Sequence, residues 1–195
     1  MGGVGERHGK GGMDMTDRRR IGTGGFTLVE LLVVMGVIGL LAAIIVPSVN
    51  VAFKAAKNAK AMGQVKDLQE ACHRYYAEYN RAPVPAGTKM GKGTDKKYED
   101  DNASVVDILV LADNLKDRST VNPKLIRFLD MDVKGQEAYE KAKCYKDPWG
   151  NAYQVFLDLS YDDRITGVED IKAKAAVRSA GADGKWDTKD DIKTW

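Results

Sequence analysis

The chain has 195 residues, 44% hydrophobic and 30% charged, a composition that excludes a disordered protein and suits one modest domain with appendages. Its formal charge is +2, and the basic excess sits in residues 1–25, where Arg7, Lys10, Arg18, Arg19 and Arg20 face Glu6, Asp14 and Asp17. The remainder is balanced and its lysines do not interleave with aromatics, so no nucleic-acid partner is expected.

Residues 1–25 are polar, Gly-rich and end in "RRRIGTGG", a leader that cannot build a core. Met13 and Met15 are alternative starts to Met1, and a start at Met15 would leave a compact basic leader. Phe26 to Val46 then runs for 21 apolar residues broken by one charge, Glu30. As a helix it measures ~30 Å, enough to cross a bilayer. A secretory signal would have an apolar stretch of only about 7–15 residues with its cleavage site behind it. A plain single-pass anchor is the stronger rival. Arg18, Arg19 and Arg20 on one side and Lys54, Lys57 and Lys60 on the other leave the positive-inside rule nearly tied.

The helical pattern continues past the membrane stretch. Phe53, Ala56, Ala59, Met62, Val65, Leu68, Cys72, Tyr76 and Tyr79 recur at steps of three and four. Pro83 and Pro85 end it. Residues 86–102 read as a polar surface loop. "SVVDILVLADNL" reads as a short helix with Ser104 as N-cap, Asp107 three residues on, and Val105, Ile108, Leu111 and Leu115 on one face. "NPKLIRFLD" reads as extended and partly buried. "DPWGNAYQVFLDLS" is a turn and then a strand with Tyr153, Val155, Leu157 and Leu159 toward one face. "YDDRITG" is a turn, "AAVRS" a second strand, and "AGADGKWDTKDDIKTW" a Gly/Asp-rich terminal loop. Cys72 and Cys144 lack metal spacing; they read as two buried thiols, with a disulfide as the alternative.

"GGFTLVE" followed by an unbroken apolar helix resembles the prepilin signature of type IV pilins and type II secretion pseudopilins. The resemblance implies cleavage after Gly25 by a prepilin peptidase, methylation of the new N-terminus at Phe26, an assembly carboxylate at Glu30 and a helix-kinking proline at Pro47. "DPWGNAYQVF" and "SAGADGKWDTKDDI" are similar to two segments of the type II secretion major pseudopilin, with Ala152 where proline is common and Trp186-Asp187 in place of a small step. In that subunit the second segment holds calcium. The resemblance therefore implies Ca2+ bound by Asp183, Asp190 and Asp191, with Asp187 as a further candidate. On spacing alone the same residues read as a solvated acidic loop, since the order of an EF-hand is missing. Asp158, Asp162 and Asp163 read as a solvated hairpin turn.

A carboxylate in hydrocarbon costs roughly 2.5–3.5 kcal/mol on insertion scales. Cleavage would free an α-amine at Phe26, protonated near neutral pH with a reference pKa of ~7.7–8.0. Glu30 lies one turn away, so amine and carboxylate could pair within a chain or between neighbours, lowering that cost and setting axial register. Gly39 and Ala43 form a small-xxx-small pair suited to close helix approach, and Gly36, Gly39 and Pro47 weaken the helix. Catalysis finds no foothold: His8 lies in the leader, His73 stands alone on the long helix, and no serine or cysteine has a recognisable base partner.

The expected fold is α+β, a long N-terminal helix packed on a small antiparallel sheet of about three strands. The expected domains are a leader at 1–25, a helix at 26–80 whose half 26–46 spans the membrane, and a globular domain at 81–195. The resemblance implies a structural subunit of a periplasmic type II secretion pseudopilus, not an enzyme, anchored single-pass in the inner membrane with its C-terminal domain in the periplasm. Its implied partners are further copies of itself, minor pseudopilins, the prepilin peptidase and the inner-membrane assembly platform with its ATPase. The rivals are a type IV pilin for adhesion, motility or DNA uptake, and a membrane-tethered ligand-binding or sensor domain.

Overall fold

The computed structural model describes residues 25–166 and 169–195. The leader through Gly24, its alternative starts, and the Gly167 end of the expected turn lie outside the described residues. The chain divides into two compact units, one ending at Pro47 and the other Ser48–Trp195. Helix α1, Leu28–Tyr79, begins in the first and ends in the second.

In the first unit every described side chain from Phe26 to Val46 is exposed, Leu28 at 79% and Leu40 at 66%. Such a surface is unfavourable in water, and α1 is long and apolar enough to cross a membrane. Pro47 lies within α1.

In the second unit α1 turns one stripe inward: Ala61, Val65, Leu68, Cys72, Tyr75 and Tyr76 are buried. The stripe starts later than its periodicity predicts. Phe53 is 67% exposed and Met62 38% exposed, and Ala61 takes the inward position. Periodicity marks a face but not where its partner layer begins. The helix closes with Asn80 in the left-handed region (φ 52), its N–H bonded to the Tyr76 carbonyl at 2.8 Å.

The partner layer is a four-stranded antiparallel sheet in sequential order: β1 Lys96–Tyr98, β2 Gln154–Leu157, β3 Ala175–Ser179 and β4 Ile192–Lys193. β2 and β3 are the two predicted strands. β1 corrects the loop expected at 86–102, and β4 adds a strand inside the expected terminal loop. Both lie at sheet edges with few residues, so neither shows a period-2 pattern. Tyr153, Val155, Leu157 and Leu159 face the main core as the alternation predicts. On the opposite face Phe156 and Ala176 join Ile165 and Ile171 in a small second cluster. Gln69 donates to the Ala175 carbonyl at 2.9 Å, and the Tyr76 hydroxyl donates to the Asp158 carbonyl, tying α1 to the sheet.

Between α1 and β2 lie α2 Ala103–Val110, the single turn α3 Arg118–Val121, and α4 Val133–Ala142. The expected Ser104 cap of α2 is not formed: Asn102 occupies the cap position, and its side chain is used elsewhere. Buried Asn102 accepts from Tyr145 N–H at 2.8 Å and donates to the Tyr145 and Tyr153 carbonyls at 2.9 Å each. The core demand of a buried amide outweighs a local cap here. Leu111, expected on the apolar face, instead ends α2 in the left-handed region (φ 57). The 122–130 segment forms no strand; its Phe128 and Leu129 are buried, and both N–H groups donate to the Leu109 carbonyl. Cys72 and Cys144 are free and buried, as the reading of two buried thiols expects, and burial pushes the Cys72 thiol up to about 12.

Candidate functional site

Two regions carry the expected site residues. At the start of α1, Gly25 and Phe26 are exposed and precede the first helical turn. Thr27 and Glu30 then form a reciprocal cap. Thr27 N–H and hydroxyl each donate to Glu30 Oε2 at 2.8 Å, and Glu30 N–H donates to Thr27 Oγ1 at 3.1 Å. This is the capping box, which satisfies helix donors that have no intrahelical partner. With Phe26 still joined to Gly25, the Glu30 carboxylate is engaged by Thr27. The "TLVE" spacing carried that signal, and the reading of Glu30 through charge alone missed it.

The second region is the end of the chain, built on the "DPWGN" turn. Asp147 is 6% exposed, and its Oδ1 accepts the Trp149 and Asn151 N–H groups at 3.0 and 2.9 Å. Its Oδ2 accepts the Ser179 hydroxyl at 2.6 Å, which locks the turn to the end of β3. Asn151 reaches on, donating to the Gly181 carbonyl at 2.9 Å. Gly181 has φ +67, and a Cβ there would stand 2.3 Å from the Asp190 carbonyl oxygen. The motif thus holds the terminal loop against the sheet through side chains, with glycine where the backbones meet.

Within the loop, Asp190 Oδ2 accepts the Ala182 and Asp183 N–H groups at 2.8 and 3.0 Å. Around the Thr188 hydroxyl oxygen stand Asp190 Oδ1 at 2.6 Å, Asp191 Oδ1 at 3.4 Å, Asp183 Oδ1 at 3.5 Å and the Lys185 carbonyl at 3.4 Å. A hydroxyl has one proton, so it can donate to one of these acceptors at a time. Three carboxylates and a carbonyl therefore surround one hydroxyl, with Arg178 3.9 Å from one of them, at Asp191 Oδ2. Among the described residues no three His, Cys, Asp or Glu side chains take up a metal-holding arrangement by themselves. Thr188 and the Lys185 carbonyl add further oxygens to the carboxylates, and oxygen donors are the kind that a hard cation takes. The structure brings Asp183, Asp190 and Asp191 together, while Asp187 joins them only through its N–H, which donates to Asp191 Oδ2 at 2.9 Å, and its carboxylate turns elsewhere.

Asp187 binds Arg178 instead. The Arg178 side chain is 3% exposed; it donates to Asp187 Oδ1 at 2.8 Å and lies 3.9 Å from Asp191 Oδ2. Its Nε donates to Gln154 at 2.7 Å, and the guanidinium sits 4.8 Å from the Trp186 ring centroid. The hydrogen bond and charge of Arg178 hold the Asp187 carboxyl below its usual range. Asp190 is held low by the Thr188 hydroxyl and then by the Asp183 N–H. Sequence reasoning missed both Arg178 and Thr188. A lone arginine inside an otherwise apolar strand, and a threonine among aspartates, were the available signals. The second aspartate cluster is not merely solvated: Asp158 is 1% exposed and accepts the Tyr161 and Asp163 N–H groups at 2.7 and 2.9 Å.

Residues 22–46 match the prokaryotic N-terminal methylation motif. Over 171 residues the chain is 28% identical to type II secretion system core protein G of Aeromonas hydrophila, covering 88% of this chain and 91% of that protein. It is 27% identical over 183 residues to the protein of the same name from Escherichia coli K12, covering 94% and 95%. The Pseudomonas aeruginosa protein of that name is 28% identical over 174 residues, with 88% and 94% covered. No solved structure matches the chain. A prepilin-type N-terminus on a helix that packs against a small antiparallel sheet defines a pilin-like protein. Within that class the chain is similar, over most of its length, to the relatives named type II secretion system core protein G.

Proposed function

We propose that this chain is the repeating structural subunit of a type II secretion pseudopilus, and that no catalytic chemistry is its task. The observation that carries the reading is the co-occurrence of the methylation motif at 22–46 with similarity to core protein G over most of the chain. A prepilin peptidase cuts after Gly25, and Phe26 becomes the methylated N-terminus. The apolar half of α1 holds the precursor in the inner membrane, with Ser48–Trp195 in the periplasm, until minor pseudopilins, the assembly platform and its ATPase extract it. Cleavage releases an amine beside Glu30, and the carboxylate exchanges its Thr27 cap for the amine of its own or a neighbouring chain. The free state of Cys72 and Cys144 favours this reading over a pilin whose C-terminal loop is closed by a disulfide.

The oxygen set of Asp183, Asp190, Asp191, Thr188 and the Lys185 carbonyl is proposed to hold Ca2+. The ion would supply charge neutralisation and a cross-link inside the terminal loop. Intact mass and N-terminal sequencing of the chain purified from its membrane test the reading. A mature protein that starts at methylated Phe26 and enters filaments is expected; an unprocessed, monomeric anchor overturns it.

A further inference from the structure

A cavity of about 730 Å³ opens between α1 and α4 and is floored by the "DPWG" turn. Its walls are mainly apolar, with Trp149, Tyr145, Tyr139 and Pro148 among them. Its rim is basic. Lys60 from α1, Lys134 and Lys141 from one face of α4, and Lys146 from the turn all line it. Helix α4 is polarised about this groove: Lys134, Ala138 and Lys141 line it at helical spacing, whereas Glu140 lines a different cavity with Gln136. Lys60 is 3.8 Å from Asp132, and among the described residues Lys134, Lys141 and Lys146 have no acidic side chain within ion-pair distance. Asp147, the acid in the wall, is already satisfied by its own turn and by Ser179.

The same unit presents the complement elsewhere. Tyr161 is 47% exposed and is followed by exposed Asp162 and Asp163. Tyr161 and Asp163 both hold left-handed backbone conformations (φ 59 and 60), which non-glycine residues adopt at a cost. Buried Asp158 sustains that shape by accepting both N–H groups. The Tyr161 hydroxyl also donates to Met90 Sδ at 2.9 Å, which leaves the exposed ring as the part of this knob open to a partner. Asp163 has Lys174 at 3.6 Å, while Asp162 only accepts the Arg164 N–H and has no cation within ion-pair distance among the described residues.

Resting on the subunit role above, we propose that the Tyr161–Asp162 knob of one copy docks into the lysine-rimmed groove of the next. The tyrosine ring meets the aromatic floor, and the carboxylate enters the ring of ammonium groups. Charge complementarity of this kind fixes partner and register more than raw affinity. Position along α1 supports the second copy as occupant. The groove lies at Lys60 and Gln64, and the cleft beside the knob lies at Tyr76 and Asn80. Within α1, Lys60 and Tyr76 are sixteen residues apart, which is about 24 Å of rise and about 160° around the helix. Different patches meeting on opposite sides, offset along the axis, make a heterologous contact, which propagates as an open array and cannot close as a two-fold dimer.

The full-length chain carrying Asp162→Cys and Lys141→Cys, in a Cys144→Ala background, tests this in assembled filaments with a short thiol cross-linker. A ladder of dimers, trimers and higher species is expected, with none when Lys116→Cys replaces Lys141→Cys. Lys141→Glu with Lys146→Glu should cut filament yield about five-fold through like-charge contact, and adding Asp162→Lys should restore it. Normal filaments without the ladder overturn the docking and leave the subunit role standing. Failure of the unaltered processed chain to form filaments removes the subunit role and the docking with it.

Discussion

Single residues decide the geometry of both ends of this protein. At Gly181 the backbone has φ +67 and a Cβ would stand 2.3 Å from Asp190 O and 2.7 Å from its carboxylate. Gly181→Ala should therefore cost more than the conformational penalty of about 1–3 kcal/mol for a left-handed non-glycine residue. Gly150→Ala is the control, since φ is +99 but nothing lies within 4 Å of its Cβ. Denaturant unfolding of both variants should rank Gly181→Ala clearly lower; equal losses would show that the loop yields around Asp190. The carboxylates of this loop also give a pH dependence with a definite sign. Asp187 and Asp190 are held below their ordinary value of 3.8 by Arg178 and Thr188 respectively. Their contribution is present above the unfolded-state value and is lost as the pH falls through the lower folded values. Carboxyl titration by NMR should place both midpoints below 3.8; midpoints above it would mean that the loop contacts do not persist in solution. At the other end, the capping box explains how one carboxylate can sit at the head of an apolar helix.

At the scale of elements, the long and periodic pieces were legible. Helix α1 and strands β2 and β3 announce themselves by apolar periodicity because each presents a full face to the core. β1 and β4 did not, since three residues and two residues at sheet edges are too short to carry a period. The α2 cap failed for another reason: Asn102, one position before the helix, is claimed by Tyr145 and Tyr153, contacts that local sequence cannot reveal. The terminal loop is the element whose behaviour is most testable. A cation that binds only the folded state adds RT ln(1 + [L]/Kd), or ~2.7 kcal/mol at a hundredfold excess over Kd. Calcium should raise the melting temperature and magnesium should not, because magnesium prefers a smaller, partly hydrated octahedral site. Asp190→Asn with Asp191→Asn should remove the rise. These variants keep an oxygen for the Ala182 and Asp183 N–H groups, so the loop itself is preserved. An unchanged melting temperature on adding chelator, then calcium, would return the cluster to a solvated acidic loop. Arg178→Met tests the other tether. In the metal-free chain it leaves the buried Asp191 carboxylate without its neighbouring guanidinium and should cost about 3 kcal/mol, read as a lower unfolding midpoint.

For the whole molecule, the two halves of α1 live by different rules. Up to Pro47 the helix is exposed and apolar all round, whereas from Ala61 it buries a single stripe. Glu30→Leu should therefore insert into membranes at least as well as the unaltered chain, since leucine is favoured there by a few kcal/mol. It should assemble poorly, because it loses both the Thr27 cap and the partner for the Phe26 amine. Membrane extraction and filament yield separate the two effects, and undiminished filaments of native register would refute the pairing.

The sequence by itself determined the apolar run, the prepilin-type motif at 22–46, the α+β class and the acidic composition of the last loop. These are local properties, carried by composition and by short-range periodicity. Tertiary structure decided which aspartates share one space. Asp187 is adjacent in sequence to Thr188, yet Arg178 on β3 takes it out of the cluster, while Asp183 comes in from across the loop. It also decided that Asn102 and Asp147 serve the core, and that a lysine-rimmed groove and an acidic knob lie at separate places on the same unit. Each of these depends on residues distant in the chain meeting at hydrogen-bond range, and the strength of such contacts falls away too steeply with distance for local pattern to encode them.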